Sequence, residues 1–541
     1  MHIFCFSPFG YEGALVSVEV DLRRGIPAVD IVGLADGAVK ESRERMRSAI
    51  RNCGFDFPPE RILISLSPAD LKKEGAGFDL AIALSVLAAK NESPDENSSA
   101  DFNSNLSENF CGISDFDDAV LVMGELELNG TLRPVRAVHA AASTAFQSGI
   151  RLCIVPSLNA DEAREVTGMK VFGAENLTDA FNALSDPKSF TKKSSLPKNS
   201  TFGEKFEEIN GIFFPQVEFG YEFAEVKGQK NLVRALQIAA AGGHNLISFG
   251  PPGCGKTLAL QKFPALLPFL TSEESHSVTR IYSIAGLMNG GKSFISKPPF
   301  RQPHQTATIE GMCGGGIRCS PGEISLAHNG VLFLDEAAEF RSSVIQMLRV
   351  PLESSSITLS RAGRTTVFPA KFQLLMSTNP CPCGNFGSPD KICLCSAKSV
   401  EQYWKKFSAP LLDRIDLRVK VDSKNASLVV KNDSDSKSTS ELRVEIANAV
   451  KIQRNRQGKK NVYLNPGEIS EYCTLSSCVS EILEDATEKY GFSPRAVSGC
   501  IKTARTIADM KCKKDIDEES VKEAVEYRKS SGGMNFSFGN M

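Results

Sequence analysis

Two stretches of this sequence carry residue types and spacings that could do chemistry on a triphosphate. In NLISFGPPGCGKT, Asn245 to Thr257, a short apolar run breaks into Gly250, Pro251, Pro252, Gly253, Cys254 and Gly255, followed by Lys256 and Thr257. That is G-x-x-x-x-G-K-[ST] in full, and LALQKFPALL continues it as a helix, the strand–turn–helix setting the pattern requires. Glycines let backbone N–H groups turn inward around phosphate, and the helix adds its positive end. Lys256 can reach the outer phosphates, and the Thr257 hydroxyl can ligate Mg²⁺. An ordinary Gly/Pro turn would have no need of the whole pattern. Downstream, VLFLDE (Val331 to Glu336) is an apolar run ending in two acids, as a buried parallel strand with its carboxyl end at a ligand crevice would be. Asp335 is expected to hold Mg²⁺ through water and Glu336 to polarise the attacking water.

Other residues suit the same chemistry but have plainer readings beside them. FQLLMSTN reads as a buried strand ending in Thr378 and Asn379. Asn379 could position the lytic water, although Asn after a strand is more commonly a turn residue. In APLLDRIDL, Arg414 stands between two acids, which fits an exposed salt bridge. It equally fits an arginine completing a neighbouring subunit's site, a role worth roughly 10³–10⁵ in rate. Arg495 lies in the first turn of a helix spelled SPRAVSGCIKTARTIADM, against the helix dipole, which hints that it serves a ligand phosphate. Cys381, Cys383, Cys393 and Cys395 make C-x-C-x₉-C-x-C. Four thiolates in so short a loop suit a tetrahedral Zn²⁺ site, which could supply an apparent ~10–16 kcal/mol of local folding energy; four free thiols are the alternative. SITLSRAGRTTVFP alternates like a hairpin with Arg361 and Arg364 at its tip, the best candidates for DNA contact because a hairpin can project into a ring's pore. The basic runs Lys451, Arg454, Arg456, Lys459, Lys460 and Lys511, Lys513, Lys514 are weaker candidates, as is the stripe Lys40, Arg43, Arg47, Arg51, since charge runs usually only solvate a face.

The elements around these residues fall into units. A length of 541 residues suggests roughly three or four domains. A formal charge of −2 means that any nucleic-acid contact must come from local basic surfaces. The 15 cysteines, odd in number and mostly scattered, fit a reducing cytoplasm. No apolar run reaches membrane-spanning length, and the first residues lack the pattern of a secretory leader. Residues 1–185 read as a mixed α+β unit. Strands are expected at Ser17–Val20, Ala28–Val32, Ile62–Pro68 and Leu152–Pro156, helices at Ala38–Asn52 and Phe78–Lys90, and a hairpin at Asn129-Gly130. Residues 91–118, rich in Ser, Asn and acids, read as a disordered insertion. Residues 186–219 read as a linker, 220–428 as the nucleotide-binding core with a long Gly-rich region at Ser283–Gly322, and 440–530 as a helical unit.

Taken together, the phosphate loop, PFRQPH, PGEISLAHNGVLFLDEAAEF, RVPLESSSITLSRAGRTTVFPAKFQLLMSTNPCPCG, APLLDRIDL and SPRA…ARTIADM strongly resemble the YifB/ComM family of Mg-chelatase-like AAA+ ATPases. So do DIVGLADGAVKESRERMRSAI and LSPADLKKEGAGFDLAIALSVL near the front. The resemblance implies an α/β AAA+ P-loop core, a parallel sheet with helices on both faces, with a C-terminal helical lid. Before the core it implies a Lon-protease-C-terminal-like α+β domain of the ribosomal S5 domain 2-like type. By similarity, Lys256 and Thr257 are the Walker A residues and Asp335 and Glu336 the Walker B pair. Asn379 is sensor 1, Arg414 the arginine finger and Arg495 sensor 2. Ser283–Gly322 looks like the helix-2 insert and Ser356–Pro369 like the pre-sensor-1 hairpin. The resemblance further implies ATP and Mg²⁺ as cofactors and a hexameric homo-oligomer that drives branch migration of DNA during recombination and natural transformation, acting on branched or single-stranded DNA. An ATPase that remodels a protein partner through the front domain is the runner-up, and a chelatase motor subunit ranks last. Three departures stand out. Gly77 and about His139 fall where Lon carries its Ser–Lys dyad, so protease activity does not carry over. His304-Gln305 replaces a usual His-His pair. Ala337-Ala338 follows the acids where Leu-Pro is commoner.

Overall fold

The computed structural model describes residues 2–73, 75–92, 119–185, 190, 205–288, 294–316, 319–361, 364–386, 391–421 and 436–529. The expected insertion at 91–118 therefore lies almost wholly outside the described residues. The first domain is built on a seven-stranded mixed sheet of order β3-β4-β2-β1-β5-β8-β9. Its strands are β1 His2–Ser7, β2 Ala14–Arg23, β3 Val29–Val32, β4 Arg61–Ser67, β5 Ala119–Val122, β8 Leu152–Pro156 and β9 Lys170–Ala174. The short pair β6 Glu125–Leu126 and β7 Leu132–Arg133 is the expected hairpin, with Gly130 at φ 88 in its turn. Helix Gly37–Asn52 starts where Asp36 accepts from the Val39 N–H at 2.8 Å, and it packs against helix Asp79–Glu92. Asp79, fully buried at the start of that second helix, is neutralised by Arg45 at 2.7 Å and accepts from Ser42.

Residues 186–219 are not a plain linker. β10 Phe206–Ile209 and β11 Ile212–Pro215 form a hairpin whose Phe214 is fully buried, with the Arg443 guanidinium 5.0 Å from its ring. The run FEEINGIFFP turns at Asn210-Gly211, both at positive φ as a two-residue hairpin turn requires, and its Ser/Lys-rich flank is what reads as linker.

The core is a five-stranded sheet of order β13-β16-β19-β12-β20, parallel at every pairing. Its strands are β12 Leu246–Phe249, β13 Phe300–Arg301, β16 Val331–Leu334, β19 Gln373–Thr378 and β20 Leu417–Lys420. β12, β16 and β19 are buried along their whole length, as apolar runs covered on both faces must be. The Gly-rich region is only partly an insert: its β13 is an edge strand of the core sheet, and β14 Gly314–Gly315 pairs with β15 Ser320–Pro321. The GGKSF segment lies mostly outside the described residues. The expected hairpin is present as β17 Ser356–Arg361 and β18 Arg364–Pro369, with Arg361 facing Arg364 in register.

Helices Thr439–Gln457, Pro466–Tyr472, Ser477–Tyr490, Pro494–Met510 and Glu518–Lys529 form the C-terminal unit. Capping boxes Ser438/Glu441 and Asn465/Glu468 start two of them. The basic runs here are largely consumed internally: Arg456 pairs with Asp509 at 2.9 Å, Lys459 with Glu468 at 2.7 Å, and Lys513 with Asp517. In the front domain, Arg47 and Arg51 lie over the Phe57 ring. These runs are poor DNA footprints. The front domain docks on core helix Ser272–Ala285, where Arg280 donates to the carbonyls of Tyr11 and Glu12, both at 2.9 Å. It also braces the hairpin, because the Tyr11 N–H donates to Thr366 Oγ1 at 3.2 Å.

Candidate active site

Every loop that follows a core strand at its carboxyl end is available to line one crevice, where doubly wound sheets bind ligands. β12 delivers the phosphate loop there, and helix Lys256–Gln261 continues it. Gly253 and Gly255 sit at φ 77 and 85, a conformation that side-chain-bearing residues rarely adopt, so the loop can curl its N–H groups inward. Lys256 Nζ donates to the carbonyls of Gly250 at 2.7 Å and Pro251 at 2.8 Å. It also lies 3.5 Å from Asn379 Oδ1, at the end of β19. Burial pulls the Lys256 ammonium below the usual lysine range, so a nearby anion would stabilise its charged form.

β16 delivers the two acids to the same place. Asp335 Oδ1 accepts from Thr257 Oγ1 at 3.0 Å and from Ser377 Oγ at 2.5 Å. Thr257 and Asp335 are thus one hydroxyl and one carboxylate in contact, a hard oxygen pair suited to Mg²⁺ with water filling the rest of the shell. Glu336 adopts φ 49, and its N–H donates to Asp335 Oδ1 and Ser377 Oγ, both at 3.1 Å. Its carboxylate accepts from Gln305 Nε2 at 2.5 Å. Gln305, singled out only as an unusual neighbour of His304, therefore touches the carboxylate that the sequence pattern offers for water activation.

Sequence reading missed two further features. Gln229 Nε2 donates to the Cys254 carbonyl at 2.6 Å, tying the segment before helix Lys230–Gly242 to the phosphate loop. Beside it opens a cavity of about 430 Å³ walled by Val226, Val233 and Leu442. The run VKGQK upstream of the phosphate loop is the only sequence signal of it. Ser377 was read only as part of a buried strand, yet it is the hinge of the Asp335 hydrogen-bond network.

Arg414 and Arg495 are brought together, but away from this crevice. Both pair with Glu353, Arg495 NH1 at 3.4 Å from Glu353 Oε1 and Arg414 through its NH2. These arginines, Arg414 first, hold the Glu353 carboxyl below the usual range. The acids flanking Arg414 in sequence are not its partners: Asp413 accepts from Arg528 and Ser493, and Asp416 faces His244. Asn245 Nδ2 donates to the Arg414 carbonyl at 2.9 Å, which fixes Arg414 at the start of β12. The phosphate loop begins at its end. With ~3.3 Å of rise per residue, Asn245 and Gly250 are roughly 16 Å apart, so neither arginine faces the phosphate loop of its own chain.

Gly77 lines a cavity of about 340 Å³ with Glu125, Arg136 and Ala137. His139 is turned away from it and meets His276 of the core at 3.2 Å between the ring nitrogens. Burial pushes the His139 pKa down to about 3. The four loop cysteines converge, all four sulfurs lying within 4.8 Å of one another.

A five-stranded parallel sheet presenting a phosphate loop and paired acids at one crevice defines a P-loop nucleotide-binding core. The family model described as magnesium chelatase, subunit ChlI, matches residues 222–429, that of the ChlI subunit of Mg-chelatase residues 18–159, and the ChlI C-terminal model residues 436–528. The chain is 35% identical to competence protein ComM of Haemophilus influenzae over 529 residues, 97% of each chain. It is 36% identical to YifB of Escherichia coli over 520 residues, 96% of this chain and 95% of that protein. It is 26% identical over 250 residues to an archaeal Lon protease of Methanocaldococcus jannaschii, 46% of this chain and 31% of that protein. The chain belongs to the YifB/ComM family of Mg-chelatase-like AAA+ proteins. Among the described residues no helix is long and apolar enough to cross a membrane.

Proposed function

We propose that this protein is a ring-forming, hexameric ATP hydrolase that moves branched DNA, as a motor for branch migration in recombination and natural transformation. Its nucleotide site takes ATP with Mg²⁺. Lys256 and the loop N–H groups hold the phosphates, Thr257 and Asp335 hold the metal, Glu336 polarises water and Asn379 orients it. The base stacks in the cavity walled by Val226, Val233 and Leu442, and Zn²⁺ is the metal that suits the four-cysteine loop.

The observation that carries this reading is the placement of Arg414 and Arg495 at the opposite end of β12 from the phosphate loop, together on one surface. There they can stabilise charge only on a neighbour's nucleotide, so each site needs two copies of the chain. The DNA role rests on similarity to the competence protein and on the hairpin bearing Arg361 and Arg364. ATP turnover measured against a panel of linear, forked and four-way DNA tests it. Branched DNA should raise the rate several-fold; a rate equal with and without every DNA rules the motor out. One observation favours a protein-remodelling ATPase instead: the front domain grips the hairpin through Tyr11 and Thr366, so a protein docked on that domain could drive the hairpin. DNA-independent turnover stimulated by a protein partner would support that second reading.

A further inference from the structure

The four cysteines form a knuckle between the end of β19 and helix Ala397–Lys405, and its position bears on the nucleotide site. Cys381 Sγ lies 3.3 Å from Cys383 Sγ and 3.7 Å from Cys393 Sγ, and Cys383 Sγ lies 3.6 Å from Cys393 Sγ. A tetrahedron with Zn–S of about 2.3 Å has edges of about 3.8 Å, close to these separations, whereas a disulfide would need about 2.05 Å. Apolar burial does not explain the convergence. Ile392 and Leu394, on either side of Cys393, are 83% and 89% exposed, while the four sulfurs face one another even though Cys383 itself is exposed. Cys381 is fully buried. A loop that displays its aliphatic residues and gathers its sulfurs suits a thiophilic ion.

The knuckle touches the nucleotide site at two points. Cys381 follows Asn379 by two residues, and the intervening Pro380 carbonyl accepts from Trp404 Nε1 at 2.9 Å. Trp404 in turn packs edge-on against Phe249, the last residue of β12, with ring centroids 5.9 Å apart. On the other side Gly384 lies against the phosphate loop, where an added Cβ would sit 2.6 Å from Pro252 Cδ. The Gly384 N–H donates to the Cys381 carbonyl at 2.9 Å, closing the turn that makes this approach.

We infer that Cys381, Cys383, Cys393 and Cys395 hold one Zn²⁺, and that the zinc knuckle sets the positions of Asn379 and the phosphate loop, making nucleotide use dependent on the metal. On binding, each thiol gives its proton to solvent as its Zn–S bond forms. The second half of this inference rests on the ATPase reading. The cysteines are positioning residues, since none of them touches the reacting groups.

The test uses the full chain purified without chelator, with zinc measured per chain, Trp404 emission followed as the only tryptophan, and affinity for a fluorescent ATP analogue measured alongside turnover. Native protein should carry about one zinc. Cys383→Ser with Cys395→Ser, or release of zinc by a mercurial, should shift Trp404 emission and weaken nucleotide affinity or turnover by about 100-fold, the scale expected of a small misplacement. Cys395→His, which keeps a zinc ligand, should restore metal, emission and turnover together. Negligible zinc in the native protein overturns the inference. So does a zinc-free variant with native emission, affinity and turnover. Zinc content and Trp404 emission need no hydrolysis, so a protein that never turned over ATP would refute the proposed activity while these two readouts still decided the metal site.

Discussion

The separation of Arg414 from its own phosphate loop makes a quantitative prediction about mixed rings. Arg414→Ala and Glu336→Gln should each reduce turnover by about 10³–10⁵ if each removes a group that acts on the transition state, as proposed above. The two lesions differ in where they act. If the arginine serves the neighbour, an Arg414→Ala chain keeps an intact Glu336 and needs only a neighbour with an intact Arg414. A Glu336→Gln chain supplies that neighbour. In a ring assembled at random from equal amounts of the two, about one interface in four pairs an intact Glu336 with an intact Arg414. The mixture should therefore recover ~25% of native turnover if the sites fire independently, against almost nothing for either chain alone. Steady-state phosphate release, measured after co-refolding or subunit exchange at several mixing ratios, reads this directly, and recovery should peak at equal amounts. A mixture as inactive as its components, with mixed rings verified by mass, would mean that Arg414 acts within its own chain and would refute the geometric reasoning.

The remaining predictions concern single groups. Gln305→Ala frees the Glu336 carboxylate of a hydrogen bond at 2.5 Å; DNA-free turnover should rise by roughly 10- to 100-fold, the worth of a hydrogen bond to a charged group, and an unchanged steady-state rate would disconnect Gln305 from the reaction. Arg361→Ala with Arg364→Ala should bring DNA-stimulated turnover down toward the DNA-free rate. Binding to junction DNA should weaken steeply between about 50 and 200 mM salt, and salt-insensitive binding in a titration by anisotropy would speak against phosphate contacts. Asp517 caps helix Glu518–Lys529, accepting from the Ser520 N–H at 3.2 Å and pairing with Lys513. Burial raises its pKa, but Lys513 and Ser520 outweigh this and hold it down at about 2, against an ordinary 3.8. A folded pKa below the unfolded one gives stability that is present above about pH 3.8 and lost as pH falls toward about 2. Asp517→Ala should therefore cost about 1 kcal/mol at neutral pH in denaturant melts, with the difference from native shrinking across that acid window.

Much of the core was legible because its signals are local. The phosphate loop, the strand ending in Asp335 and Glu336, and the helix capped by Ser493 each combine periodicity with a terminating residue whose chemistry has one main use. Asn379 was found the same way, at the polar end of an apolar run. What escaped depends on contacts between distant segments. Nothing near Arg414 in sequence points to Glu353, because the two meet only when the chain folds, and the adjacent acids Asp413 and Asp416 made a false pairing inviting. Gln305 looked like a simple departure from a His-His pair until the fold laid it on Glu336. The hairpin at Phe206–Pro215 carried a local signal in Asn210-Gly211, both at positive φ, before the buried Ile212 and Phe214, but its Ser- and Lys-rich flank reads as linker. The basic runs failed for the opposite reason: their charge is visible in the sequence, but the acids that neutralise it, Asp509 and Glu468 among them, lie elsewhere.

The most direct measurement is the fate of a labelled four-way DNA junction with homologous arms, incubated with the protein, Mg²⁺ and ATP. Resolution into duplex products that depends on ATP, and is absent with Glu336→Gln, is the predicted result. A junction that stays intact while the same protein hydrolyses ATP at full rate would contradict the account.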